Sequence, residues 1–318
     1  MRLRDLGTSG LRVGVIGLGC APMSGSYNLE DRDDRESIAV IRRAVELGVT
    51  LLDTSDVYGP FANELLLGRA TQGIRDQVVI ATKGGLVKPA DGSYVSSNDA
   101  RPESLRRAVD ASLRRLKTDY VDLYQLHRVD PRVPLEESWG SMKEIVRVGK
   151  ARAIGLSEVT VEQLARAALI HPVATVQSEL SLWTRDALVN GVLDWCKNNG
   201  SGFLAYAPLG RGFLTGKVRD AQFGAGDYRS EMPRFRQQAI EENKKILEVI
   251  QAIAGNHGAS LAQVSLAWIV AQGGNIVPIP GTKRLRWLEE NTAAAALTLA
   301  REELRALDNM PEPASPRY

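Results

Sequence analysis

The sequence predicts an α/β protein with the (β/α)8 barrel fold, and three observations lead to that prediction. Short apolar runs rich in β-branched residues alternate with longer segments of helical period. The runs are apolar at consecutive positions, which is typical of parallel strands covered on both faces. Eight such units close naturally into a barrel and fit a doubly wound open sheet less well. We therefore expect one barrel domain over residues 1–318.

The strands of this barrel are predicted from eight apolar segments. They cover residues 15–20, 50–55, 78–83, 121–127, 151–157, 174–180, 202–209 and 275–280. Helices are predicted between them; within residues 101–119, apolar side chains recur every three or four positions, at Leu105, Val109, Leu113 and Leu116. Glycines follow three of the predicted helices, as the left-handed C-cap position requires, at Gly48, Gly149 and Gly200.

Three segments lie outside this repeat. Residues 3–13 contain "GTSG" between short apolar runs and predict an N-terminal β-hairpin before the first barrel strand. Residues 211–240 predict a long loop after the seventh strand, and long ordered loops in compact domains are usually functional. The segment "AREELRALDNM" predicts a C-terminal helix that covers the barrel.

The composition excludes several classes of function. The 40 basic and 38 acidic residues give a net charge of +2, so neither nucleic acid nor an anionic membrane is an expected partner. No signal-peptide pattern and no apolar run of about 18 to 20 residues is present, and we expect a cytoplasmic protein. The two cysteines, Cys20 and Cys196, are too few for a disulfide framework or a zinc site. A monomer is expected, with a homo-oligomer as the alternative.

Ionisable residues lie at the ends of three neighbouring predicted strands. Asp53 lies near the end of the second strand, Tyr58 in the loop after it, Lys83 at the end of the third and His127 at the end of the fourth. The carboxyl ends of barrel strands build the active site, so these groups are expected to meet at one rim. Each residue alone could simply end a strand, but the four together favour a catalytic site.

Proton delivery by a phenol is the chemistry that suits these four groups. A tyrosine is a weak acid at neutral pH, and an adjacent ammonium is expected to lower its pKa. Asp53 would hold Lys83 in a buried, hydrogen-bonded pair, so that Lys83 makes Tyr58 a usable acid. A neutral His127 would hold a substrate oxygen or pass a proton.

The same residues belong to motifs that resemble the aldo-keto reductases over nearly the whole chain. The motifs are "LLDTSDVYG", "ATKGG", "LYQLH", "AIGLSE", "SLWTRD", "AYAPLGRGFLTG" and "IPGTKRLRWLEEN", in this order. The resemblance implies an oxidoreductase that moves a hydride between a nicotinamide cofactor and an aldehyde or ketone. It also implies that Tyr58 is the general acid, that Asp53 and Lys83 tune it, and that His127 orients the substrate.

The cofactor is expected to bind without a Rossmann fingerprint. The glycines of "GVIGLG" and "GRGFLTG" have the wrong spacing for G-x-G-x-x-G. Barrels instead bind phosphates with the loops after strands seven and eight and a helix N-terminus. The candidates there are Leu209, Gly210, Gly212, Thr282, Lys283, Arg284 and Arg286. Three cations beside free amides favour NADPH over NADH because they suit a 2′-phosphate.

Other cofactor contacts are implied only by the resemblance. Glu290 and Asn291 match residues at the adenine, Tyr206 the ring stacked on the nicotinamide, and Ser157 and Gln177 the residues that hold its carboxamide. Glu158 stands where asparagine is frequent in the family, and we expect it to line the site. Trp287 replaces an arginine of several relatives, which leaves open which cation contributes most to phosphate binding.

The substrate is expected to be a small aldehyde or ketone in a partly aromatic pocket mouth. The candidates for this mouth are Met23, Tyr27, Val57 and Trp183. The tail "PEPASPRY" is too short for a long specificity loop, which favours broad carbonyl tolerance. Two alternatives stay open: a non-catalytic nicotinamide-nucleotide sensor similar to channel-auxiliary subunits, and an aldolase that forms a Schiff base on Lys83.

Overall fold

A curled eight-stranded parallel sheet forms the centre of the protein. The computed structural model describes residues 1–25, 27, 31–87, 97–224 and 226–317. The strands are β1 (Leu3–Asp5), β2 (Arg12–Gly14), β3 (Leu18–Gly19), β4 (Leu51–Asp53), β5 (Val79–Gly84), β6 (Leu86–Val87), β7 (Ser97–Asn98), β8 (Val121–Leu126), β9 (Ala151–Ser157), β10 (Thr175–Glu179), β11 (Gly202–Tyr206) and β12 (Ile276–Pro278). The sheet has the order β3-β4-β5-β8-β9-β10-β11-β12, with every neighbouring pair parallel.

Helices cover the outside of this sheet. They are α1 (Asp34–Glu46), α2 (Ala62–Ala70), α3 (Pro102–Leu116), α4 (Leu135–Arg147), α5 (Val161–Ala168), α6 (Asp186–Val189), α7 (Val192–Asn198), α8 (Gln237–His257), α9 (Leu261–Ala271), α10 (Leu285–Ala293) and α11 (Arg301–Asp308). None of the helices in the described ranges is both long enough and apolar enough to cross a bilayer.

Backbone hydrogen bonds between the two edges of the sheet, next to β3 and β12, close it into a barrel. The amide of Gly17 donates to the carbonyl of Pro278 at 2.9 Å, and Gly19 pairs in parallel with Gly281. A Cβ at Gly19 would lie 2.8 Å from the carbonyl oxygen of Ile279, so only glycine allows this close approach. The expected (β/α)8 barrel is therefore confirmed, and all eight predicted strands are present.

The hairpin of β1 and β2 closes the amino-terminal end of the barrel. Its two strands pair antiparallel, as the sequence predicts. Leu6 and Val13 are fully buried against Leu51 and Leu204 of the barrel interior. The amide of Thr8 donates to a carbonyl just before β11 at 2.7 Å. With this end closed by apolar side chains, the carboxyl ends of the strands are left to form a cavity.

The remaining local predictions agree with the structure except at element ends. Gly48, Gly149 and Gly200 all have positive φ angles after helices. The C-terminal segment forms α11, which packs on α8. The loop predicted over 211–240 is shorter than expected, because α8 begins at Gln237. Its described residues include short 3-10 segments at Gly210–Thr215, Tyr228–Glu231 and Pro233–Phe235, the first of which is kinked at Arg211 and Gly212.

Candidate active site

The four ionisable residues expected at the rim lie together at the carboxyl ends of β4, β5 and β8. The Lys83 ammonium donates to Asp53 Oδ1 at 2.6 Å and to the Tyr58 hydroxyl at 3.3 Å. It also donates to the backbone carbonyl of Thr54 at 2.8 Å. The rings of Tyr58 and His127 are 5.9 Å apart and nearly perpendicular. Parallel pairing of adjacent strands brings the groups together, since β4 pairs with β5 and β5 with β8.

Burial and pairing together fix the charge of Lys83. Its side chain is fully buried, and that of Asp53 is 4% exposed. Burial lowers the pKa of the Lys83 ammonium, but the Asp53 carboxylate and Tyr58 raise that pKa by more, so its net shift is upward. Lys83 is therefore a charged ammonium at neutral pH, and a charged ammonium is a poor nucleophile for a Schiff base.

The expected lowering of the Tyr58 pKa is wrong. Burial raises the pKa of the Tyr58 phenol, and the nearby Lys83 ammonium offsets that rise only in part. The prediction failed because it counted the neighbouring charge and left out the burial. Tyr58 therefore holds its proton throughout the neutral pH range.

His127 is a neutral base on the same rim. Burial, Lys83 and Arg128 lower its pKa well below the usual value of a histidine. Its Nδ1 lies 3.1 Å from the hydroxyl of Ser55, and the side chain lines the cavity. The neutral ring agrees with the expectation from sequence. The contact with Ser55 was not foreseen.

Asp53 also connects the rim to β10. Its Oδ2 accepts a hydrogen bond of 2.8 Å from the side-chain amide of Gln177. Ser157 at the end of β9 accepts a hydrogen bond of 3.0 Å from Arg128. Ser157, Gln177 and Arg128 all line the cavity.

A cavity of about 1010 Å³ extends from this rim towards the N-terminus of α10. Most of the residues predicted for cofactor binding line it: Ser157, Gln177, Tyr206, Leu209, Gly212, Thr282, Lys283, Arg284, Arg286, Glu290 and Asn291. Tyr27 and Val57, predicted for the substrate side, line it as well. The volume is at the upper end of the range for small-molecule sites.

The cations expected at a phosphate group cluster where α10 begins. Lys283 and Arg284 precede the helix, and Arg286 lies in its first turn. Arg284 forms an ion pair with Glu36 and a longer contact of 3.8 Å with Asp31. The first backbone amides of α10 have no partner within the helix, so they add to the positive potential at this end of the cavity.

Four predicted residues lie elsewhere than expected. Met23 is fully buried in the core. Trp183 is 2% exposed and stacks on Phe213 with ring centroids 4.2 Å apart. Gly210 lies against Trp183, where a Cβ would be 2.8 Å from that ring. Glu158 accepts a hydrogen bond of 2.6 Å from Arg317 of the C-terminal tail. None of these four lines the cavity.

Two residues at the site, Ser55 and Arg128, were missed by the sequence predictions, and Arg211 was predicted only as part of the loop after the seventh strand. Ser55 contacts the ring of His127, and Arg128 joins β8 to Ser157. Arg211 lines the cavity with a left-handed φ of 52° and pairs with Glu179 at 2.9 Å. Arg128 directly follows the strand-ending histidine, and this position is the one signal that could have identified it.

The comparisons with known proteins agree with this geometry. The family model described as Aldo/keto reductase family matches residues 15–312. The chain belongs to the aldo/keto reductase family. As an aldo/keto reductase it is an oxidoreductase. It is 40% identical over 303 residues to a probable aldo-keto reductase 1 from Glycine max, covering 95% of this chain and 86% of that relative.

Two solved structures of other aldo/keto reductase relatives extend the comparison. A glycerol dehydrogenase from Gluconobacter oxydans superposes with a TM-score of 0.88 at 28% identity, covering 99% of this chain and 98% of the other. An aldo-keto reductase from Klebsiella pneumoniae, solved in complex with NADPH, has a TM-score of 0.75 at 28% identity and covers 99% and 97% of the two chains.

Proposed function

We propose that this aldo/keto reductase uses NADPH to reduce aldehydes or ketones to alcohols, with Tyr58 as the proton donor. One observation carries the proposal: the Lys83 ammonium lies 3.3 Å from the Tyr58 hydroxyl and 2.6 Å from an Asp53 carboxylate oxygen. Asp53 and Tyr58 line the cavity whose far end holds the cations beside α10, and Lys83 is buried behind them. A proton donor and a phosphate-binding end in one cavity are what this reaction needs.

The residues of the cavity fit a phosphorylated dinucleotide. Lys283, Arg284 and Arg286 supply charge-assisted donors beside the start of α10, and such donors suit a phosphate monoester. Gly212 has a φ of 98° in the loop after β11, a conformation that lets backbone amides approach an anion closely. The NADPH complex of the Klebsiella pneumoniae relative supports the same choice of cofactor.

The bound nicotinamide would supply the hydride, and the protein supplies proton and position. Tyr58 keeps its proton at neutral pH, so it enters the reaction in the donor form. Reduction creates an alkoxide, which is a stronger base than a phenolate, and proton transfer from Tyr58 is therefore favourable. The Lys83 ammonium stabilises the phenolate that remains, and Asp53 holds Lys83 in place.

The substrate end of the cavity supports a broad carbonyl class. Val57 and Leu86 add apolar surface to its lining, whereas Tyr27 lines the cavity beside Lys283, whose ammonium donates to the Tyr27 carbonyl at 3.4 Å. His127 faces the same space with a neutral ring that can bond a carbonyl oxygen. This lining selects by size and apolarity and does not require an anionic substrate.

The test is to mix the protein with NADPH and a panel of aliphatic and aromatic aldehydes and to follow the absorbance of the reduced nicotinamide. We expect decay with several members, together with alcohol formed in equal amount. Tight NADPH binding with no decay for any aldehyde would replace the proposal with a nucleotide sensor. Borohydride trapping of a carbonyl substrate on Lys83 would show a Schiff-base aldolase and contradict the proposal.

A further inference from the structure

A hydrogen-bonded chain of two side chains lies behind His127, on the side away from the cavity. The Ser55 hydroxyl lies 3.1 Å from His127 Nδ1 and 3.1 Å from Asp56 Oδ1. Neither Ser55 nor Asp56 lines the cavity, and both are buried. Asp56 therefore reaches the cavity only through Ser55 and the imidazole ring.

Ser55 can donate to only one partner at a time because a hydroxyl has a single proton, and the Lys83 carbonyl at 3.4 Å is a longer alternative acceptor than His127 or Asp56. An ionised Asp56 can only accept, so the Ser55 hydroxyl donates a hydrogen bond to it, and Ser55 then accepts from His127 Nδ1–H. A protonated Asp56 can donate to Ser55 instead, and Ser55 then donates to an unprotonated Nδ1. Since the ring is neutral, its Nε2 carries the proton in the second arrangement and lacks it in the first.

The nitrogen Nε2 is the one left for the substrate. No group in the described part of the chain bonds it, while Nδ1 is occupied by Ser55. An Nε2–H donates to a carbonyl oxygen, which is the substrate of reduction. A bare Nε2 accepts from a hydroxyl, which is the substrate of the reverse reaction.

The surroundings of Asp56 allow both of its protonation states near neutral pH. The titratable and charged groups that face it are Glu64 of α2, Arg115 of α3 and the Tyr124 hydroxyl of β8. Burial and the Glu64 carboxylate raise the pKa of Asp56 to about 7, although Ser55 and Arg115 pull it downwards. Glu64 is paired with Arg115 at 2.6 Å.

We propose that Asp56, acting through the Ser55 hydroxyl, sets which nitrogen of His127 carries the proton and so whether the site favours a carbonyl or an alcohol. The switch is this change of the protonated nitrogen. Its effect on substrate preference rests on the proposed function, but the change of tautomer itself does not. Asp56 and Ser55 are positioning residues, since neither touches the substrate. On ionisation, Asp56 releases one proton to solvent, the Ser55 hydroxyl turns towards Asp56, and the His127 proton exchanges from Nε2 to Nδ1 while the ring stays neutral.

Nitrogen NMR of histidine-labelled protein tests the switch directly, without any turnover. The chain has three histidines, and substitution of His171 or His257 by glutamine assigns the His127 signals. We expect the protonated nitrogen to change from Nε2 to Nδ1 as the pH rises through about 7. Asp56→Asn should hold one tautomer at every pH, and Ser55→Ala should abolish the response. A tautomer that ignores pH in the wild type, or an unchanged response in both variants, would overturn the proposal.

The kinetic consequence is a pH-dependent change of KM in opposite directions for the two substrates. Above neutral pH the KM of the aldehyde should rise and that of the alcohol should fall. Each should change by roughly two- to tenfold, which is the change in affinity expected when one hydrogen bond is lost or gained. Asp56→Asn should remove this pH dependence of KM and leave the pH dependence of kcat unchanged. Equal pH profiles in the variant and the wild type would overturn the proposal.

Two controls separate this proposal from loss of structure and from the proposed function. Ser138→Ala removes another buried serine hydroxyl, which donates to Ala100 at 2.7 Å, and should leave the His127 tautomer responsive. If no aldehyde is reduced but the tautomer still changes with pH, the proposed function fails and the switch stands. If aldehydes are reduced and the tautomer is fixed, the switch fails alone.

Discussion

Replacing Asp53 with asparagine tests how strongly the buried ion pair with Lys83 holds the site together. The pair is 2.6 Å long, and its side chains are 0% and 4% exposed. Removing one partner leaves the other charge buried and uncompensated, which destabilises proteins by about 3 to 5 kcal/mol. Unfolding entropy scaled to 318 residues gives about 1.5 °C per kcal/mol, so the melting temperature should fall by about 4 to 8 °C.

The pH dependence of the stability lost in Asp53→Asn identifies the cause of that loss. Without Asp53, burial should depress the pKa of Lys83 in the folded protein below its unfolded value. The unfolded chain then binds more protons than the folded one, so the stability of Asp53→Asn relative to the wild type should rise with pH. Urea unfolding at pH 7 and pH 9, followed by tryptophan fluorescence, measures the change.

A matched surface pair and a double variant complete the test. Lys244 and Glu241 are also 2.6 Å apart, but each is about half exposed, and Glu241→Gln should cost less than about 1 kcal/mol. Lys83→Met in the Asp53→Asn background should restore most of the lost stability, because no buried charge remains. A deficit for Asp53→Asn no larger than that for Glu241→Gln would refute the reasoning.

Three further predictions concern the cofactor, Asp56 and the packing of the barrel. Replacing both Arg284 and Arg286 with alanine should lower the ratio of NADPH to NADH affinity at least tenfold by fluorescence titration; an unchanged ratio rejects their phosphate role. Because the folded pKa of Asp56 is about 7 and the unfolded one is about 3.9, the stability of the wild type relative to Asp56→Asn should fall by about 3 kcal/mol from pH 4 to pH 7; parallel curves for the two proteins in urea unfolding contradict it. Gly84→Ala should lower stability by about 1 to 3 kcal/mol, since its Cβ would lie 2.1 Å from the Tyr124 hydroxyl.

Gly140 in α4 is the control for the glycine substitution. A Cβ at this position meets no atom within 4 Å. Gly140→Ala should therefore stabilise the protein by about 0.5 to 1 kcal/mol through helix propensity. The same sign of effect at Gly84 and Gly140 would show that crowding in β5 is not the cause.

The sequence predicts the rim of the site because parallel strands place their ends at one edge. Asp53, Lys83 and His127 end neighbouring strands, so their proximity follows from strand order alone. At the α10 end of the cavity, the barrel rule for phosphate-binding loops predicts Thr282, Lys283, Arg284 and Arg286, and the resemblance to a family adds Glu290 and Asn291. Element bounds such as the start of α8 at Gln237 were displaced by a few residues, since caps depend on local geometry.

What the sequence does not predict depends on distances between side chains. Ser55 and His127 are 72 residues apart, and no pattern links them. Trp183 was expected at the pocket mouth, but only the fold decides which face of its loop meets Phe213. The pKa of Tyr58 depends on how completely the barrel mouth excludes water, which is a property of packing and not of spacing.

Single-turnover kinetics of Tyr58→Phe test the central claim most directly. The change removes one hydroxyl and keeps the ring, so NADPH affinity should stay within about twofold while carbonyl reduction slows by about 10² to 10⁴. Tyr120→Phe is the control and should reduce substrate at the wild-type rate, since Tyr120 directly precedes β8 at the other end of the barrel and its hydroxyl accepts a hydrogen bond from Arg152 of β9. Reduction by Tyr58→Phe within about tenfold of wild type, or a loss explained by weaker NADPH binding, would contradict a phenolic proton donor at this position.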